Sequence, residues 1–195
     1  MKRFLSLAAG LALATTAFAQ DTPRGNASTT VGGKKVTVDY GRPALKGRAM
    51  DELLKQLPED RMWRAGDNQV TTLTTEGDIV IGGKKVPAGR YSLYVHAPAT
   101  GDWSLALNSD QGIALSKIWK EAPANLKDQP WPHLEEGGYA KNIAKTEVLR
   151  APMKSGAVTP AAENFTVSFT PAGDGAAMVL AWGGKSWSVD VKPAK

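Results

Sequence analysis

Between Tyr40 and Asn68 the chain gathers the residues best suited to hold an anion. Arg42 precedes Pro43, Arg48 closes Lys46-Gly47-Arg48, and Arg64 sits in Trp63-Arg64-Ala65-Gly66-Asp67-Asn68. Arginine keeps its charge at every relevant pH, and its planar fork of donors fits a carboxylate or phosphate with two prongs. Arg42, Arg48 and Arg64 converging on one anionic group, with Asn68 adding a donor and an acceptor, would make a binding site. The same residues have an architectural reading. A loop leaving a sheet exposes carbonyl oxygens, which an arginine can satisfy while pairing with Asp39, Asp51 or Asp67. Both readings stand at this point.

Catalytic chemistry is poorly provided for. The only two histidines are His96, in an alternating stretch, and His133, behind Trp131-Pro132. With no cysteine in the chain there is no thiolate nucleophile, no disulfide and no Cys-ligated zinc. His and carboxylates do not recur at metal-ligating spacings, so neither a metal nor a cofactor is expected. Glu52 and the adjacent Glu135-Glu136 do not form the spaced carboxylate pair of a glycosidase. No nucleophile elbow, Ser-x-x-Lys or phosphate loop is present. A hydrolase would have to rest on His96 and an acid brought to it by folding.

The elements that must position these residues read as strands. Val36, Val38 and Tyr40 alternate with Lys35, Thr37 and Asp39, so one face is apolar and the other polar. Gly32-Gly33 and Gly82-Gly83 each lie between short strand patterns, as tight hairpin turns do. The flanks of the two Gly-Gly-Lys-Lys-Val copies do not match, so they are one turn chemistry used twice rather than a repeat. Tyr91, Leu93 and Val95 alternate with Ser92, Tyr94 and His96; Trp103, Leu105 and Leu107 share a face; Phe165, Val167 and Phe169 and then Trp187, Val189 and Val191 do likewise. Met50, Leu53, Leu54 and Leu57 fall at helical spacing before Pro58, and Ile113 to Trp119 has the length of a second short helix. Residues 109–142 form a long proline-broken connection whose apolar anchors are Trp119, Trp131 and Tyr139. The expected fold is all-β: a mostly antiparallel β-sandwich of about 8–10 strands with one or two short helices.

The first nineteen residues belong to no such element. Lys2 and Arg3 precede an apolar run from Phe4 to Thr16, and Ala17-Phe18-Ala19 has the small-x-small pattern of a cleavage site. This predicts a secretory signal peptide over 1–19, cut after Ala19, and a periplasmic or secreted mature chain. The run is shorter than the ~20 residues a membrane helix needs, and no other follows, so no transmembrane segment is expected. The remainder, 20–195, is about 176 residues, the size of one domain with a real core. Removing Lys2 and Arg3 from the 24 basic residues leaves 22 against 19 acidic ones, a surplus of 3. The charges are interspersed, which argues against nucleic acid as a partner.

Four ordered motifs carry a family likeness. Gly41-Arg42-Pro43 with Lys46-Gly47-Arg48, then Trp63 to Asn68, then Pro87-Ala88-Gly89-Arg90-Tyr91-Ser92-Leu93, then Leu180-Ala181-Trp182-Gly183, resemble the bacterial "domain of unknown function 2911" family. The likeness covers about Pro23 to Val191. It implies an exported, β-rich protein and brings no activity with it. Gln69 stands where relatives often carry an acidic residue, and 112–141 looks expanded beside the simple family pattern.

The leading functional expectation is therefore a non-enzymatic binding module whose Arg-lined cleft, built from Arg42, Arg48, Arg64 and Asn68, takes a small anionic or sugar-like (glycan) ligand. The alternatives are a structural or protein-interaction component of the cell envelope, docking through Trp119, Trp131 and Tyr139, and a hydrolase.

Overall fold

The computed structural model describes residues 24–133 and 138–195. The expected signal peptide and Glu135-Glu136 lie outside them. Two antiparallel sheets carry the architecture. The larger has the strand order β1 (Gly25–Val31), β2 (Lys34–Tyr40), β4 (Thr72–Thr75), β7 (Gly89–His96), β8 (Ser104–Asn108), β11 (Glu147–Pro152), with β3 (Met62–Trp63) also paired to β7. The smaller has the order β12 (Lys154–Ala172), β13 (Gly175–Pro193), β5 (Ile79–Ile81), β6 (Lys84–Val86). A two-stranded ribbon, β9 (Ile113–Ala114) with β10 (Pro130–Trp131), completes the set. Three of these strands have only two residues. The rest fall within the expected range.

Both Gly-Gly pairs turn hairpins. Val31 pairs with Lys34 across Gly32-Gly33, and Ile81 with Lys84 across Gly82-Gly83. All four glycines have positive φ, between 54° and 83°, as a two-residue turn matching the strand twist requires.

The alternating apolar residues meet between the sheets. Val38, Leu73, Leu93 and Leu107 of the larger sheet share one buried cluster with Phe165, Met178, Leu180 and Val191 of the smaller. At one end, Trp63 stacks on Trp182 with centroids 5.4 Å apart and planes at 10°, and Phe165 sets its edge on Trp63 at 4.8 Å.

The helices are α1 (Met50–Leu54), α2 (Leu115–Ile118) and α3 (Gly138–Asn142), one more than expected among the described residues alone. The helical pattern to Leu57 stops early at Leu54, where Lys55 N–H still reaches Asp51 O at 3.2 Å. The segment read as a helix from Ile113 begins instead as β9, because Ile113 pairs with Trp131.

The outer face of β7 is the main departure from the pattern. Ser92 and Tyr94 alternate like solvent-facing residues, yet they are 0 % and 5 % exposed. The long connection covers them: Tyr139 and Ile143 form a second small core with Met62, Tyr94 and Ala106. Buried Asn108 holds this cover down, donating from Nδ2 to Ile143 O at 2.7 Å and to the Tyr139 hydroxyl at 3.1 Å.

Candidate functional site

The register of β3 on β7 builds the site. Met62 faces His96 and Trp63 faces Val95. Arg64, the residue after β3, and Tyr94, the β7 residue before Val95, both reach the same cleft and act on each other's charge. Between this pair, α1 and the covering connection lies a cleft of about 360 Å³. Leu53, Leu57, Pro58 and Met62 form one apolar side; Trp63, Tyr139, Pro132 and His133 complete the wall around Arg64 and Tyr94.

Two polar groups, Tyr94 and Arg64, stand out in that wall, and the first lacks the partner burial usually demands. The Tyr94 hydroxyl is buried and has no hydrogen-bond partner among the described residues. Arg64 is half-buried in the same wall, with Asp67 and Tyr94 near enough to act on its charge. Burial lowers the guanidinium from its ordinary value, while Asp67 and Tyr94 pull it back. Burial also pushes the Tyr94 phenol well above its usual range, and the charge of Asp110 adds to this; Arg64 opposes, as does the nearby Ser92 hydroxyl, which favours the anion but lies outside hydrogen-bond geometry and donates to Asp110 O instead. Tyr94 is therefore a neutral donor at any physiological pH.

The far wall is fixed by Asp110. Its Oδ1 accepts from Gly112 N at 2.8 Å and lies 3.2 Å from His133 Nε2, and its own N–H donates to Asn108 Oδ1 at 2.8 Å. Tyr139 donates its hydroxyl to Glu147 Oε2 at 2.8 Å. Arg150 grips the same carboxylate, its Nε at 2.9 Å from Oε1. Burial opposes charge on Glu147, but the Arg150 and Tyr139 hydrogen bonds outweigh it and hold the carboxyl below its ordinary value.

The four residues singled out in the sequence are thus separated by role. Arg64 alone lines the cleft. Arg48 turns back on its own loop, donating to Leu45 O at 2.9 Å and Ala44 O at 3.1 Å. This is the carbonyl-satisfying role. Arg42 is half-buried, and its Nε has no hydrogen-bond partner among the described residues. Its neighbours tie the sheets together, with Phe165 N donating to Pro43 O and Leu45 N to Glu163 O, both at 2.9 Å. Asn68 holds a left-handed backbone, φ 56°, which asparagine tolerates better than most residues. Of the acids offered as partners, Asp39 takes Arg24 at 2.6 Å and Asp51 takes Lys185 at 3.2 Å.

Tyr94, Tyr139 and the Asp110–His133 pair were missed as site residues. Nothing in the local sequence marks them, because the connection that makes a cleft from a sheet face is distant along the chain. His96 does not line the cleft; burial and Arg150 lower its pKa, against Asp60 and Glu147. Among the described residues no group of three or more metal-ligating side chains is present, and no helix is long and apolar enough to cross a membrane.

The family model described as "Protein of unknown function (DUF2911)" matches residues 22–191. The chain belongs to this family. No curated protein and no solved structure matches it. In this DUF2911 protein three of the four motifs meet at one end of the sandwich. Gly41 packs so closely on Asp67 that a Cβ there would collide with it, and one on Gly66 would lie 2.8 Å from Thr71 Oγ1. Trp182 of the last motif stacks on Trp63 of the second. Gln69, where an acid was expected, accepts at Oε1 from Arg24 at 3.3 Å, and Asp39 supplies the charge.

Proposed function

We propose that this protein is an exported, non-enzymatic binding module, and that its ligand site is the cleft walled by Arg64, Tyr94, Trp63 and Tyr139. The ligand is small and either anionic or sugar-like. One observation carries the reading: a half-buried guanidinium shares one concave wall with a buried hydroxyl that has no hydrogen-bond partner among the described residues. Unsatisfied buried polar groups cost stability and are kept where a ligand completes them. The volume lies near the low end of ligand sites, roughly 300–1,000 Å³, which favours a single ring or short chain over a polymer. The loop aromatics support this over partner docking: Tyr139 is buried, and Trp119 and Trp131 are half-buried.

A thermal-shift screen of small anions and saccharides on the mature chain tests the proposal. A hit should raise Tm, and the rise should vanish in Leu53→Trp, which fills the cleft from α1 without touching Arg64 or Tyr94. A screen without hits, or a hit indifferent to Leu53→Trp, would remove the cleft as the site.

A further inference from the structure

Resting on that reading of the cleft, we infer that the ligand is a monocarboxylic acid with an apolar or aromatic ring, its carboxylate held by Arg64 and Tyr94 and its ring lying between α1 and Tyr139.

The argument begins with donors. Arg64 and Tyr94 both line the cleft, close enough to act on each other's charge, and each can donate a hydrogen there. Arginine has no acceptor at all, and the Tyr94 phenol stays protonated because burial and Asp110 disfavour its anion. A matching ligand group must accept from two directions, as the two oxygens of a carboxylate do.

Charge then sets the limit. One arginine lines the cleft, and Asp67 sits near enough to influence its titration. Asp110 does the same to Tyr94 and is fixed in place by Gly112 and His133. A single negative charge is balanced by Arg64, the one guanidinium among the described lining residues, whereas the second charge of a phosphate-like dianion finds no second arginine or lysine there.

The rest of the ligand follows from the walls. Leu53, Leu57, Pro58 and Met62 offer no hydrogen bonds and Gln56 is the one polar side chain among them, so a hydroxyl-rich pyranose lying there would lose more water contacts than one amide replaces. An apolar ring gains from the same surface, and the edges of Trp63 and Tyr139 suit an aromatic one.

The test is a titration of the isotopically labelled mature chain, followed by NMR, with benzoate, benzamide, phenyl phosphate and glucose. Benzoate should shift the cleft resonances and bind about ten-fold more tightly than benzamide, the size of one charge-assisted contact. Arg64→Met should erase that preference. Tyr94→Phe, which keeps the ring and the fold, should weaken benzoate several-fold and leave benzamide unchanged. Equal binding of benzoate and benzamide, or tighter binding of phenyl phosphate or glucose in the cleft, overturns the acid inference while the cleft reading survives. If none of the four probes moves a cleft resonance, both readings fall.

Discussion

Tyr94 and Arg64 show how a residue's meaning depends on what later covers it. Read along the strand, Tyr94 belongs to a polar, outward set with Ser92 and His96, and nothing in that period marks it for a site. Arg64 was legible because its type and its motif are unusual. Arg42, Arg48 and Asn68 do not join it in the cleft lining, because sequence proximity does not set where side chains point. Arg48 is spent on its own loop, and Asn68 serves a turn. The buried, partnerless Tyr94 hydroxyl leads to a prediction with opposite signs in two measurements. Removing an unsatisfied hydroxyl while keeping the ring is neutral to stabilising, so Tyr94→Phe should gain about 1 kcal/mol in urea unfolding of the free protein. The same substitution should reduce the stabilisation conferred by any acid that binds. A loss of stability in the free protein would mean that the hydroxyl already has a partner.

The strands were legible wherever one face is buried and the other is not, since period-two alternation is the mark of such a face. Gly89–His96 stands as a strand with the bounds its pattern predicts. Alternation fails for the outer half of the long β12–β13 hairpin: from Lys154 to Glu163 the strand is mostly exposed. It buries little, so small and polar residues suffice, and the pattern carries no signal. The connection over the outer face was also illegible, because it is held by single polar contacts rather than a periodic face. Asn108 is the chief of these: wholly buried, it donates to Ile143 O and the Tyr139 hydroxyl and accepts from Asp110 N. Asn108→Ala should cost about 1–2 kcal/mol, because three hydrogen bonds go and Asp110 N loses its acceptor, while Ile143 O keeps Thr146 and the Tyr139 hydroxyl keeps Glu147. The damage should be local: hydrogen exchange should accelerate in α3 and the turn through Thr146 before it does in β12–β13. Uniform acceleration across both sheets would show that the cover and the sandwich unfold as one unit.

At the scale of the whole molecule, two expectations concern where the protein works and at what pH. If the first nineteen residues are a leader, expression from the native start should yield a chain beginning at Gln20 in the periplasmic or culture fraction, read by N-terminal sequencing; a cytoplasmic chain retaining Lys2 and Arg3 would refute export. Stability also depends on pH, and two groups on the outer face of the larger sheet contribute to that response. Burial and Arg150 lower the His96 pKa from its ordinary 6.5, with Arg61 adding and Asp60 and Glu147 opposing. The unfolded chain therefore binds this proton more readily than the folded one, so the His96 contribution is complete above pH 6.5 and is lost as pH falls through the lower folded value. Glu147 acts in the same direction further down. Its carboxyl titrates below the ordinary 4.5 because Arg150 and Tyr139 favour the anion more than burial disfavours it. Its stabilisation is present above 4.5 and disappears on further acidification, loosening both Arg150 and Tyr139, a residue of the cleft wall. Stability against urea should therefore decline in two stages, one beginning below pH 6.5 and one below pH 4.5. His96→Gln should flatten the first stage alone, and Glu147→Gln the second. A single acid transition unchanged by His96→Gln would show that the histidine is equally easy to protonate in the folded and unfolded chains.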